Sequence, residues 1–234
     1  MQHMPLRGGL PFERQLVPVL RTRINAYPHA RPEFVKTIAK QGSQPVVMTV
    51  GHSTRPLADF IALLAAHAVT QLIDVRAVPR SRHNPQFNAE TLPITLEIAG
   101  IHYAHVAGLG GFRRAAPDSP NSGWRNASFR GYADYMQTAE FAQNLASLMK
   151  LAEHEQVALM CAEAVPWRCH RSLIADALLV HGLRVEEIIS PTRCQNHALT
   201  SFATVNGMAI AYPPTSATES AHADNSKKRS QYAE

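Results

Sequence analysis

Between residues 45 and 190 the chain alternates short, continuous apolar runs with stretches whose apolar residues recur at helical spacing. PVVMTV (45–50) is a β-branched run without helical period and predicts a buried strand. LADFIALLAAHA (57–68) follows it with a helical repeat, TQLIDVR (70–76) reads as a second strand, and NAETLPITLEIAG (88–100) reads as helical although Pro93 weakens it. IHYAHV (101–106) alternates as a third strand, and a loop rich in Gly, Arg and Pro spans 107–130. One long amphipathic helix is predicted over 132–154, a fourth strand over 156–162, a helix over 170–182 closed by Gly182, and a fifth strand over 183–190.

Strands buried on both faces and separated by helices imply parallel βαβ units. The expected fold is α/β: a single three-layer domain with an open, mostly parallel sheet of about five strands. Right-handed crossovers put helices on both sheet faces. Residues 1–44 carry Pro, Arg and Gly without a clean period and read as an N-terminal extension. The α/β domain spans 45–206, and the small polar residues from 207 to 234 read as a disordered tail.

Composition narrows the class. The chain has 234 residues, 45% of them apolar and 18% charged, enough to bury a sizeable core. No apolar run reaches the ~18 residues of a membrane helix, and the N-terminus lacks the layout of a secretory signal. Three cysteines do not make a disulfide framework, so a reducing, cytoplasmic setting and no membrane partner are expected. The net charge of +5 comes from 18 Arg and only 5 Lys. Arg binds carboxylate or phosphate through a planar fork, which Lys lacks.

In an open parallel sheet, ligands bind beyond the carboxyl ends of the strands. Ten of the 18 arginines (55, 76, 80, 82, 113, 114, 125, 130, 168 and 171) follow predicted strands and so gather on that edge. The helix over 132–154 carries one Lys and no Arg, which argues against an even charged coat. The placement points to an anion-binding rim. Gly51, His52 and Ser53 form a turn before a helix that exposes backbone N–H groups to an anion, with Ser53 or Thr54 as cap. Asp74 either pins Arg76 or the Ser53 hydroxyl, or takes part in proton transfer. Arg76, Arg80, Arg82, Arg130 and Arg171 are candidate phosphate contacts. Trp124, between Gly and Arg, is the candidate for base stacking.

MCAEAVPWRCHRS (160–172) is the most specific stretch. It runs from a buried strand into Cys161 and Glu163, then into Cys169, His170 and Arg171 at the mouth of a helix. A cysteine at such a place, beside His and Arg, meets the conditions that lower a thiol pKa. Cys161 and Cys169 are candidate nucleophiles; His170 and Glu163 are candidate proton carriers. Glu163 has a second plausible role as partner of an edge arginine, and Cys161 as a small packed residue. The strand–Cys–loop–helix layout resembles rhodaneses and cysteine phosphatases. Their spacing, with Arg about six residues after Cys, is absent, since Trp occupies position 167. A metal site on Cys161, Cys169 and His170, with His52, Glu163 or His83, matches no standard zinc spacing.

Five segments also resemble a known family, the domain of unknown function 488 family. They are TVGHST (49–54), LIDVRAVPRSRHNPQFN (72–88), LGG (109–111), FRGYADYM (129–136) and ALMCAEAVPWRCHRSLIADAL (158–178). The resemblance covers about residues 46–190 and implies a compact α/β domain with its polar residues at one edge. It implies no reaction and no cofactor. Three functions remain open: an enzyme acting on a phosphate-bearing substrate (nucleotide or nucleic acid), a non-catalytic module binding the same ligands, and a metal-binding protein. The oligomeric state is not encoded in any of these features.

Overall fold

The computed structural model of the chain describes residues 45–214. The extension over 1–44 and the tail from 215 lie outside the described residues. Strand β1 (Val46–Gly51) leads through α1 (Leu57–Ala66) to β2 (Gln71–Asp74), and α2 (Leu92–Ile98) leads to β3 (His102–His105). Helices α3 (Ala127–Tyr135) and α4 (Ala139–Ala152) precede β4 (Val157–Cys161), which α5 (Arg171–Val180) connects to β5 (Arg184–Ser190). An edge strand β6 (Arg193–Asn196) and a hairpin of β7 (Thr204–Asn206) and β8 (Ala209–Ala211) follow.

Six strands form one sheet in the order β3-β2-β4-β1-β5-β6, with the first five parallel and β6 antiparallel to β5. The domain is therefore α/β with a mostly parallel sheet, one strand larger than expected. The strands alternate residues into two cores, as a period of two dictates. Val47, Ile73, Leu159 and Val185 face α3, α4 and α5, whereas Met48, Leu72, Ala158 and Met160 face α1 and α2. Both sets are buried, so these strands read as unbroken apolar runs. Leu159 is fully buried at the centre, and Leu159→Ala is worth roughly 2–5 kcal/mol of stability.

Besides β6 and the β7–β8 hairpin, one element differs from the sequence reading. The single helix over 132–154 is two helices. The Thr138 side chain accepts from the Phe141 N–H at the start of α4, and Asn126 caps α3 in the same way. Pro93 lies in the first turn of α2, where its missing N–H costs nothing. Gly182 adopts φ +83° after α5, the left-handed turn that favours glycine at a helix end.

The segment after β6 packs back on the domain. Ile210 and Tyr212 are buried, although they fall in the stretch read as tail from 207. A buried carboxylate, Asp176 on α5, holds this segment. It accepts from Tyr212 Oη (2.8 Å), the Thr200 N–H (3.1 Å) and His197 Nε2 (2.9 Å). His197 also bonds Glu187 through Nδ1 (3.1 Å). Burial alone pulls His197 down, but the bonds to Asp176 and Glu187 outweigh it and raise its pKa to about 9. A group with a raised folded pKa stabilises fully below its unfolded value of ~6.5 and loses that contribution as pH rises through the folded value. Chemical denaturation of the wild type should therefore show stability falling by on the order of 1–2 kcal/mol between about pH 6.5 and 9, after allowance for solvent screening. His197→Gln should remove that slope.

Candidate functional site

The site lies at the carboxyl ends of the neighbouring strands β1 and β4. From β1 the chain passes over β4 to reach β2, and from β4 it passes over β1 to reach β5, with α1 and α5 on opposite faces, so the two connections cross at this end. Gly51 and Cys161 are register partners at that end. The loop after Cys161 folds directly over Gly51. A Cβ there would collide with the Glu163 carbonyl, so only glycine permits this approach. The N–H groups of His52 and Ser53 donate to the Cys161 and Ala162 carbonyls, each at 3.0 Å.

Arg171, the first residue of α5, is 2% exposed and turns back under this loop. Nη1 donates to the carbonyls of Val50 (3.0 Å) and Glu163 (3.0 Å) and lies 2.7 Å from Cys161 Sγ. Nη2 donates to the Ala164 carbonyl at 3.4 Å, and Nε has no partner. No carboxylate contacts Arg171 among the described residues. The one group in contact that is able to carry a compensating negative charge is the Cys161 sulfur.

Cys169 completes the arrangement. Its thiol donates to Cys161 Sγ across 2.8 Å, and its own sulfur receives the Arg171 N–H at 3.5 Å. Both cysteines are free and buried. Burial alone would raise the Cys161 thiol, but the bond from Cys169 and the Arg171 charge outweigh it and hold Cys161 below the ordinary thiol range. The bond to Cys161 and burial push Cys169 well above that range, so it remains a protonated donor.

His170 and His52 flank the thiols as neutral rings. His170 Nε2 donates to the Val75 carbonyl (2.9 Å), which leaves Nδ1 facing Cys169 Sγ at 3.7 Å. Burial lowers its pKa to about 4. Its ring packs on Tyr132, with centroids 4.9 Å apart, and Gly111 lies so close to Nδ1 that a Cβ would collide. His52 Nδ1 donates to the Ser53 carbonyl (2.8 Å), and its Nε2 faces Arg76 Nη1 at 3.3 Å. Burial, reinforced by Arg76, lowers this histidine to about 4 as well.

Several expected anion contacts are already committed inside the protein. Arg76 is 7% exposed and bonds Asp74 through Nε and Nη2 (2.6 Å), and the Phe87 carbonyl through Nη2 (2.7 Å). Asp74 also takes the Tyr103 hydroxyl at 2.8 Å. Of its alternative roles, Asp74 fills the first: it pins Arg76. Arg80 pairs with Glu90 on the surface. Neither Ser53 nor Thr54 caps α1, whose N-cap is Pro56, and the N–H groups of His52 and Ser53 are spent on the Cys161 loop. Glu163 is exposed; its carbonyl, rather than its carboxylate, meets Arg171. Trp124 is packed among Phe129, Phe202 and Tyr212, so it anchors the loop. Arg82 and His83 are exposed. Among the described residues no three His, Cys, Asp or Glu side chains are placed to hold a metal ion, so Cys161, Cys169 and His170 do not form such a group.

A cavity of about 620 Å³ opens next to the Gly108–Gly111 segment, lined by Arg113, Arg114, Arg130, Ser119, Ser122 and Ser128 among others. Arg113 bonds the Gly108 and Gly110 carbonyls and lies over the Tyr135 ring, 3.5 Å from its centroid. The side chains of Arg114 and Arg130 make no hydrogen bond or ion pair among the described residues, and the Arg130 charge acts at longer range on Asp134. Asp134 orders the far wall, accepting from Ser119 Oγ, the Ala116 N–H and Asn121 Nδ2. Arg113 and Arg114 belong to the arginine-rich edge read from sequence, but no spacing rule singled them out. Phe112 and Trp167 are 83% and 70% exposed on the loops around the site.

The family model described as Domain of unknown function DUF488 matches residues 56–178, more than half of the chain. The chain belongs to this family. The DUF488 match takes in Asp74, Arg76, both thiols, His170, Arg171 and the arginine-lined cavity, while Gly51, His52 and Ser53 precede it. No curated protein and no solved structure matches the chain.

The internal pairing of Arg76 is directly measurable. Asp74→Asn leaves a buried guanidinium without its counter-charge and should cost about 3–5 kcal/mol in urea unfolding. A loss below ~1 kcal/mol would mean that Arg76 is free to bind an external anion.

Proposed function

We propose that this DUF488 protein is a cysteine-dependent enzyme acting on a phosphate-bearing substrate, a nucleotide or nucleic acid, with Cys161 as its nucleophile. The observation that carries this reading is the buried Arg171 guanidinium, whose ionisable contact is Cys161 Sγ at 2.7 Å. A thiolate is the reactive form of cysteine, and an adjacent fixed cation favours it. Cys169 holds the sulfur in place by a hydrogen bond, and the neutral His170 ring lies against Cys169 as a hydrogen-bonding neighbour.

The substrate class rests on the arginine-lined cavity rather than on Arg76, Arg80 or Arg171. Arg114 and Arg130 present guanidinium forks that make no side-chain hydrogen bond among the described residues and suit phosphate oxygens, and Arg113 ties the cavity to the Gly108–Gly111 segment against His170. The exposed rings of Phe112 and Trp167 offer flat surfaces for a base. Cys161 is 2% exposed, so the loop over 162–168 has to lift before a large substrate reaches it. That burial favours, as a second reading, a module that binds the same ligands without chemistry.

Ligand protection separates these possibilities. In the full chain carrying Cys194→Ser and Cys169→Ser, iodoacetamide alkylation of Cys161 should be slowed by a nucleoside triphosphate. Arg114→Ser and Arg130→Ser should each weaken the protecting affinity by about tenfold. Protection that depends on the arginines, with alkylation only at ordinary thiol pH, supports the binding module. Alkylation indifferent to the nucleotide contradicts the phosphate substrate.

A further inference from the structure

The contact between the two thiols supports more than the positioning of one by the other. We infer that Cys161 and Cys169 form a two-electron redox couple that reduces small hydroperoxides, with Cys161 reacting first and Cys169 resolving. This rests on the same thiolate reading of Cys161, and adds a second reacting sulfur and a different substrate class.

Three observations carry it. The sulfurs lie 2.8 Å apart and neither is in a disulfide, so closing to a ~2.05 Å bond needs movement of less than an ångström. The two residues sit on opposite ends of one short loop, after β4 and before α5, so the bond closes locally without moving the sheet. Both are nearly inaccessible, at 2% and 4% exposure, beneath the loop that spans Ala162 to Arg168. A hydroperoxide, being small, requires far less displacement of that loop than a protein disulfide would.

The chemistry balances with the groups present and a hydroperoxide ROOH. The Cys161 thiolate attacks the terminal oxygen; an S–O bond forms, the O–O bond breaks, and the alkoxide takes a proton from water. This leaves Cys161 as a sulfenic acid and the peroxide reduced to an alcohol. The Cys169 sulfur then attacks Cys161 while its proton passes to the departing sulfenic oxygen; the S–S bond forms, the S–O bond breaks and water leaves. One thiolate and one thiol are oxidised, one peroxide is reduced, and the hydroxide formed when the alkoxide is protonated carries away the thiolate's charge. A dithiol returns the pair to the starting state by thiol–disulfide exchange. Arg171 lies beside the attacking sulfur in the first step, and its N–H to Cys169 Sγ supports the second.

The test uses the full chain with Cys194→Ser, leaving this pair as its cysteines, treated with one equivalent of hydrogen peroxide. Intact mass and thiol counting should show loss of both thiols and their hydrogens within one chain, reversed by dithiothreitol. Adding Cys169→Ser should stop the reaction at a dimedone-reactive sulfenic acid on Cys161. Adding Cys161→Ser should leave Cys169 at least about tenfold slower to oxidise, because it stays buried at 4% exposure and the Arg171 guanidinium contacts the Cys161 position instead. Circular dichroism confirms that each variant is folded. Survival of both thiols in excess peroxide, first oxidation at Cys169, or disulfides only between chains would overturn the couple. Protection of Cys161 by nucleotide with no disulfide on peroxide treatment removes this inference and spares the phosphate reading. A disulfide without nucleotide protection does the reverse.

Discussion

A guanidinium cannot shed its charge when it is buried, because its pKa lies far above any working pH. Arg171 is buried all the same, at the point where β1, the Cys161 loop and α5 meet. Three of its contacts are neutral backbone carbonyls: Val50 from the strand, and Glu163 and Ala164 from the loop. The fourth is the Cys161 sulfur. One side chain thus staples the loop to the sheet and supplies the electrostatic reason for a thiolate. Fold and chemistry are coupled there: neutralising the sulfur leaves a desolvated charge with dipoles alone around it.

Arg76 meets the same problem a few ångströms along the edge and solves it conventionally. Asp74 cancels its charge with a bidentate contact, and Tyr103 fills the remaining acceptor capacity. The resulting pair is electrically quiet and holds His52 as a neutral spacer stacked on Phe87, with ring centroids 4.2 Å apart. Two buried arginines at one sheet edge therefore have opposite characters, one closed by a carboxylate and one open toward sulfur. The cavity lined by Arg113, Arg114 and Arg130 is separate from this pair.

The apolar runs of β1, β2 and β4 were legible because both sheet faces are covered, which leaves no polar alternation to confuse them. The break at Thr138 was not, since apolar spacing continues through it and a single capping hydroxyl decides the end. Strand β6 is an edge strand of Arg193, Cys194, Gln195 and Asn196, which presents no apolar run to detect. At the site, sequence order showed which polar residues gather at the strand ends but not which of them use each other up. Arg76 follows Asp74 by two positions and folds back onto it; Trp124 meets Phe202 and Tyr212 from about 80 residues downstream. The spacing rule that looked for an arginine about six residues after Cys161 missed Arg171 ten residues on. The loop is longer here and carries a 3₁₀ turn at Pro166–Arg168, which returns the helix start beneath the sulfur.

The central claim is that Arg171 holds Cys161 as a thiolate, and the most direct measurement is a spectrophotometric titration of thiolate absorbance. A chain with Cys169→Ser and Cys194→Ser keeps Cys161 as its single thiol and retains a hydroxyl donor at position 169. The account predicts an inflection clearly below the ~8.5 of a free cysteine, rising when Arg171→Met is introduced in a chain that still folds. An inflection at or above ~8.5 with Arg171 intact would contradict it, because the buried guanidinium would then face a neutral thiol.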